Sequence, residues 1–290
     1  MYDPSSRGWQ AALRLRAQSR AGRGTVLCER VHDGPLRLLK PLYPEGDGIC
    51  HAVLVHPPGG IVGGDQLRVE VEVEAGAHLV ATTPGAQKWY RSLGLRANAS
   101  TRLQIAAGGA LEWLPQETIV FDGAQAEQCL RIETSAEGRF LGWEALSLGR
   151  AARQERFSHG LFRQRTEIIR DGAPLWRELL RAAGGDGWLD SPVGMAGRAH
   201  SATAWAIWPA HDANETDALL STLRSALDSH PSASTPRTLW GVSAPASGLI
   251  VLKLLAETIE AAHHLLVSFR EVVRPVILDR QALPLRLWST

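Results

Sequence analysis

Leu67, Val69, Val71 and Val73 alternate with Arg68, Glu70, Glu72 and Glu74, which predicts a strand with one buried face and one charged face. The same alternation, shorter, sets Leu13 and Leu15 against Arg14 and Arg16 and predicts an edge strand. Residues 25–30 and 36–39 read as strands around the turn Asp33-Gly34-Pro35. From 67 to 150 a unit recurs: an apolar-alternating strand, a glycine (Gly76, Gly108, Gly138), then a second apolar strand, at a period of about thirty residues. Further β patterns fall at 161–169, 201–208 and 249–255. The period changes to helical twice. Residues 212–227 place Leu219, Leu220, Leu223 and Leu227 on one stripe, with Asn214 as the cap and Asp217 at its third position. A second helix carries Ile259, Ala262, Leu266, Phe269 and Val273, and the pair Arg274-Pro275 predicts its end. No linker divides the chain. The pattern therefore predicts one mainly β domain over residues 1–290, a solenoid-like or sandwich-like array of stacked hairpins, with two packed helices in the C-terminal half.

One stretch breaks every period. In His56-Pro57-Pro58-Gly59-Gly60-Ile61-Val62-Gly63-Gly64-Asp65, two prolines remove backbone donors and four glycines remove side-chain constraint. It lies between the apolar run 52–55 and the strand beginning near Leu67, so it is a strand-to-strand loop built for close backbone approach. A phosphate loop needs Lys followed by Ser or Thr and then a helix. Asp65-Gln66 and a strand stand there instead, so phosphate binding is disfavoured.

Composition narrows the function classes. The chain has 290 residues, 44% hydrophobic and 21% charged, enough apolar content for a sizeable core. A net charge of +1 gives no bulk attraction to nucleic acid or to an anionic membrane. No apolar run is long enough to span a bilayer and no leader-like segment is seen, so a soluble, cytoplasmic protein is expected. Cys28, Cys50 and Cys129 are odd in number and far apart, which fits reduced thiols. Ten tryptophans suggest core anchors or a partner surface.

Candidate chemistry is sparse. Cys50, His51 and His56 suggest a metal site, but on a strand His51 and His56 face opposite sides, and Cys50 and His56 stand about 20 Å apart. Glu257, Glu260 and His264 share a helix face and read as its ordinary polar side. Asp65, Glu117, Glu144 and Glu155 are acids beside turns or apolar strands. A pair of them, Asp65 with Glu117 or Glu155, would give a small β-rich hydrolase by acid–base chemistry. No nucleophile–base signature is present. No tightly bound cofactor is expected. The segment 82–91, with Lys88 and Arg91 among small residues, reads as an exposed basic loop or a docking surface.

Several blocks together resemble the urease accessory protein family UreD, also called UreH. They are the 56–65 loop; the Thr82–Ser92 segment with Lys88, Tyr90, Arg91 and Ser92 in place; the stretch Leu111-Glu112-Trp113-Leu114-Pro115-Gln116-Glu117-Thr118-Ile119-Val120-Phe121-Asp122-Gly123-Ala124; the run from Gly149 to Phe157; and Arg274-Pro275 with Trp288 near the terminus. Gln154 departs from the pattern, since glycine is usual there. The resemblance implies a mainly β, solenoid-like fold and a non-enzymatic scaffold. It implies binding to apo-urease and, with the partners UreF and UreG, help in installing nickel, the ion meeting the protein only transiently. On this resemblance Asp65, Glu117, Glu144 and Glu155 are candidates for an ion passage, and Lys88, Tyr90, Arg91 and Trp288 for partner docking.

Overall fold

The computed structural model describes residues 8–209, 213–233 and 238–285. The chain opens with an antiparallel ribbon of β1 (Gln10–Arg20) and β2 (Gly24–Asp33), then a short β3 (Arg37–Leu38). It then winds through β4 (Ile49–Val55), β5 (Gln66–Val73), β6 (His78–Thr82), β7 (Gln87–Trp89), β8 (Ala97–Ile105), β9 (Ala110–Leu114), β10 (Thr118–Val120), β11 (Gln125–Thr134), β12 (Arg139–Arg150), β13 (Glu155–Arg156) and β14 (Leu161–Arg170). The remainder is β15 (Ala173–Ala183), β16 (His200–Ile207), α1 (Ala213–Ser229), β17 (Leu239–Ala246), β18 (Leu249–Ala256) and α2 (Ile259–Leu278).

Strands alternate between two facing sheets. The front sheet runs β15-β14-β11-β8-β5-β1-β2, and the back sheet β17-β18-β16-β12-β9-β6-β4-β3. The fold is mainly β and solenoid-like, with both helices in the C-terminal half. Within a repeat unit the two strands do not pair with each other. β5 and β6, for example, lie in different sheets, and each pairs in parallel with its counterpart in the next unit, β8 and β9. The recurring glycine makes this crossing: Gly76 and Gly108 both hold φ of +69°, a region open to glycine at no steric cost. These arches stack, with Gly76 N–H donating to Gly108 O at 3.2 Å and Gly108 N–H to Glu137 O at 3.1 Å.

Two cores result from the alternation. Leu13, Leu15, Val71, Val73, Leu79, Leu103, Leu111, Ile132 and Phe140 fill the space between the sheets. The other face of the back sheet, with Val80, Leu114, Leu141, Trp143 and Leu252, packs against Leu223 and Leu227 of α1 and Leu266, Phe269 and Val273 of α2. β12 lies in both cores and is buried along nearly its whole length.

Two helix boundaries differ from the pattern. α1 begins at Ala213, so Asn214 lies inside its first turn and does not cap it from outside; Asp212 is outside the described residues. α2 continues through Arg274 and Pro275 to Leu278. A proline in the last turn removes one helical hydrogen bond, and the buried ion pairs of Arg274 described below hold the backbone in place against that loss.

Candidate functional site

At one end of the solenoid the crossings are tight arches; at the other they are long. The long crossings are residues 56–65, 83–96, 115–124 and 151–160, the same blocks that carry the family resemblance. They stack into a third, narrow wall. Ile61 bridges Trp89 in parallel, β7 pairs with β10, and β10 pairs with the end of β12 at Leu146–Leu148. Loop tips continue the ladder: Gly64 N–H donates to Arg96 O, Ser92 N–H to Gly123 O, and Gly123 N–H to His159 O, at 3.2, 3.0 and 3.0 Å.

Asp65 is the post of the first loop. It is 2% exposed, and its two oxygens accept from Trp9 N–H at 2.7 Å and Val62 N–H at 3.0 Å. With both oxygens committed to backbone, it is not available as an acid or base toward a substrate, so the hydrolase pairing loses its common member. Gly60 and Gly63 allow close approach: a Cβ on Gly60 would enter the ring of Tyr90, and one on Gly63 would lie 2.8 Å from Leu95 O. Tyr90 meets Phe121 edge-on at 5.0 Å, and the Arg150 guanidinium lies 4.5 Å over the Phe121 ring. Asp122 binds the fourth loop, accepting from the Ser158 and His159 N–H groups, both at 2.7 Å. Glu155 accepts from Asp122 N–H at 3.2 Å and pairs with Arg150. That pairing, ahead of a smaller opposing effect of burial, holds its carboxyl below the usual range.

Gln154 sits at φ 58°, ψ 20°, a left-handed conformation that costs a residue with a Cβ about 1–2 kcal/mol. Glycine avoids that strain and gives back part of it as unfolded-chain entropy. Gln154→Gly is therefore expected to stabilise the fold by about 0.5–1 kcal/mol, a rise in melting temperature of about 2 °C. A calorimetric scan that shows no rise or a fall would contradict the strain.

The surface of this end is partly apolar. Trp9, Val62, Leu93 and Leu95 are exposed, Leu93 completely, around a groove that also takes in Tyr90 and Arg91. Lys88 lies in β7, with its carbonyl accepting from Ile61 N–H at 2.7 Å. Arg91 reaches Asp122 at 3.4 Å and stays largely exposed. Trp288 is outside the described residues.

The four candidate acids are not brought together. Asp65 and Glu155 hold the loop end. Glu117 lies 3.3 Å from His263 on α2; burial pushes its carboxyl up, and the His263 hydrogen bond, a backbone hydrogen bond and the charges of His263 and His200 together outweigh that and hold it low. Glu144 alone faces the space between the sheets. It accepts from Gln128 Nε2 and Thr166 Oγ1, both at 2.8 Å, and burial holds its carboxyl above the usual range despite those bonds. A cavity of about 460 Å³ adjoins it, lined also by Gln164, Glu178, Trp205 and Lys253. A second cavity of about 340 Å³ lies beneath the 56–65 loop, against His56, Thr83, Gln87 and Thr101. The buried Nε2 atoms of His56 and Gln87 have no protein partner.

Cys50 faces the inter-sheet core while His51 turns to the helical side and meets Glu45 at 2.8 Å. His264 bonds Ser232 Oγ at 3.0 Å. Among the described residues no group of three or more His, Cys, Asp or Glu side chains is placed to hold a metal ion.

Sequence reasoning missed a buried ion network behind the back sheet. Glu112, fully buried, accepts from Arg274 Nε at 2.9 Å, Arg270 Nε at 3.0 Å and His78 Nε2 at 2.9 Å. Arg274 also grips Glu45 at 2.8 Å, and Arg270 Nη1 donates to Leu283 O at 2.8 Å. The available signal was an acid at the centre of Leu111-Glu112-Trp113, a strand apolar on both faces, together with two arginines spaced one helical turn apart on an apolar helix.

Residues 10–289 match the family described as UreD urease accessory protein. The chain is 41% identical over 291 residues to the urease accessory protein UreD of Delftia acidovorans, covering 98% of this chain and 95% of that one. It is 42% identical to the proteins of the same name from Azoarcus sp., over 98% of this chain and 95% of the relative, and from Pseudomonas fluorescens, over 100% and 97%. On these likenesses, the chain belongs to the UreD family of urease accessory proteins.

Proposed function

We propose that this chain is a cytoplasmic, non-enzymatic maturation scaffold that binds apo-urease and the accessory proteins UreF and UreG, and assists nickel insertion without holding the ion tightly. The observation that carries the reading is the convergence of four of the family's blocks, around 56–65, 82–92, 115–124 and 149–157, on one end of the solenoid. There they form a cross-bonded surface, apolar around Leu93 and basic at Arg91, of the kind that protein partners cover. Three free cysteines suit a reducing compartment. No helix of the described residues is long and apolar enough to cross a membrane.

The ion route is the second part of the proposal. Glu144 is the candidate acid that faces an interior cavity, and the unpartnered His56 and Gln87 nitrogens are polar points in a second, largely apolar cavity beneath the loops. Weakly held carboxylates and water suit a borderline cation in transit better than a closed ligand cage. Asp65 and Glu155 then serve the passage by holding its rim, not by meeting the ion.

Co-expression with urease and its accessory proteins tests both parts. Leu93→Asp is expected to lose co-purification with UreF while keeping the wild-type melting temperature. Glu144→Gln is expected to keep partner binding and lower the nickel content of urease several-fold, since an amide of equal size stabilises a dehydrated cation far less. Full co-purification by the first variant would remove the loop end as the docking surface. Wild-type nickel loading by the second would remove Glu144 from the route.

A further inference from the structure

The inter-sheet core is apolar for most of its length and polar at the side bounded by the edge strands β15 and β17. Two polar rungs cross the gap there. The inner rung is Thr166 of β14 donating to Glu144 of β12 at 2.8 Å. The outer rung is Lys253 of β18 donating to Glu178 of β15. Strand register stacks the two rungs in depth. Glu144 stands opposite Thr203, and Thr203 opposite Lys253, in the back sheet; Thr166 stands opposite Glu178 in the front sheet. The rungs are thus two strands apart on the back sheet, about 10 Å by strand spacing.

The outer rung sits at the mouth of the 460 Å³ cavity, because the Lys253 side chain is 53% exposed and that of Glu178 21%. Two polar atoms on the cavity's lining residues are buried without a protein partner. One is the Glu178 oxygen that Lys253 does not hold; the other is Nε1 of Trp205, a residue 1% exposed. A buried donor and a buried anionic acceptor left open on one polar cavity fit a hydrated ion or its water shell better than an apolar filling.

We infer that Lys253 is a displaceable gate, whose ammonium occupies the Glu178 carboxylate at the cavity mouth until a divalent cation takes its place. The inference rests on the proposed passage of nickel. An ammonium on a flexible four-carbon stem is a point charge that can swing into solvent, and a divalent ion brings twice the charge to the same two oxygens. Glu144 lies one rung behind as the next carboxylate inward. The pair is electrically neutral in itself, and the metal competes with a resident cation.

The test is titration of Ni²⁺ alone into the full chain, co-purified with its partner protein where that is needed for solubility, with melting temperatures checking each fold. Lys253→Met keeps the aliphatic stem and is expected to bind Ni²⁺ about tenfold more tightly than wild type. Glu178→Gln is expected to weaken binding, and the double variant Lys253→Met/Glu178→Gln to lose the gain. Equal Ni²⁺ affinity in Lys253→Met and wild type would overturn the gate, whether or not Glu178→Gln weakens binding. The outcome is separable from the passage itself: wild-type nickel loading of urease by Glu144→Gln removes the route, while a tighter Lys253→Met still shows the competition at the mouth.

Discussion

Replacing Glu112 by alanine is expected to destabilise the fold by about 3–5 kcal/mol, because it leaves Arg270 and Arg274 charged and buried without their shared partner. Both arginines are almost fully covered, and Glu112 is entirely so. The network also fastens three separate parts of the chain to one strand of the back sheet: α2, the segment around Glu45 and, through carbonyls, residues 281–283. Urea unfolding of Glu112→Ala should show the loss as a lower midpoint with little change in slope. A triple replacement of Glu112, Arg270 and Arg274 by Leu, Met and Met should recover part of it, since it removes both uncompensated guanidinium charges and leaves Glu45 with His51 as its partner. A Glu112→Ala unfolding free energy within about 1 kcal/mol of wild type would mean that water reaches the arginines.

The same group gives a pH dependence of known sign. Burial pushes the Glu112 carboxyl up, and the hydrogen bond from His78 with the charges of Arg270 and Arg274 outweighs it, bringing the pKa from 4.5 down to about 2. The folded value lies below the unfolded one, so the contribution is complete above about pH 4.5 and disappears as pH falls toward 2. Wild type should therefore lose stability more steeply than the triple replacement across that window.

The second large effect is expected at Gly60. A side chain there enters the space of the Tyr90 ring, and Tyr90 is held by Phe121 on one side and by its own N–H to Ile61 O at 2.9 Å. Gly60→Val should cost about 2–3 kcal/mol as overpacking and should abolish partner co-purification, because the loops that form the docking surface are displaced together. Gly59→Ala is the matched control. Gly59 has φ of +77° but open space at its Cβ, so it carries backbone strain alone, about 1 kcal/mol. Adding Tyr90→Ala to Gly60→Val should restore part of the stability, a coupling that independent sites do not show. Equal costs for Gly59→Ala and Gly60→Val would mean that the loop yields and the contact with Tyr90 is not what requires glycine.

The sequence by itself determined the elements that depend on local period. Alternation at Leu67–Val73 places one face in the core, glycine at the arches allows the crossing between sheets, and the leucine stripe on α1 buries against the back sheet. It also placed a break between strands at 56–65, because Pro-Pro-Gly-Gly excludes regular structure on chemical grounds alone. Four things were decided only by tertiary structure. Period-two patterning does not say which strand is the neighbour, so the choice between hairpins and parallel stacking rested on hydrogen bonds between residues some thirty positions apart. Burial of one acid is set by what covers it: Asp65, Glu117, Glu144 and Glu155 look alike as residues, yet they meet backbone amides, a helix histidine, the inter-sheet core and a surface arginine in turn. Arg274-Pro275 reads locally as a helix end, but Glu112, 162 positions earlier in the chain, holds the helix beyond it. The pairing of Lys253 with Glu178 joins strands 75 residues apart across two sheets, and only the facing of those sheets brings an ammonium to that carboxylate.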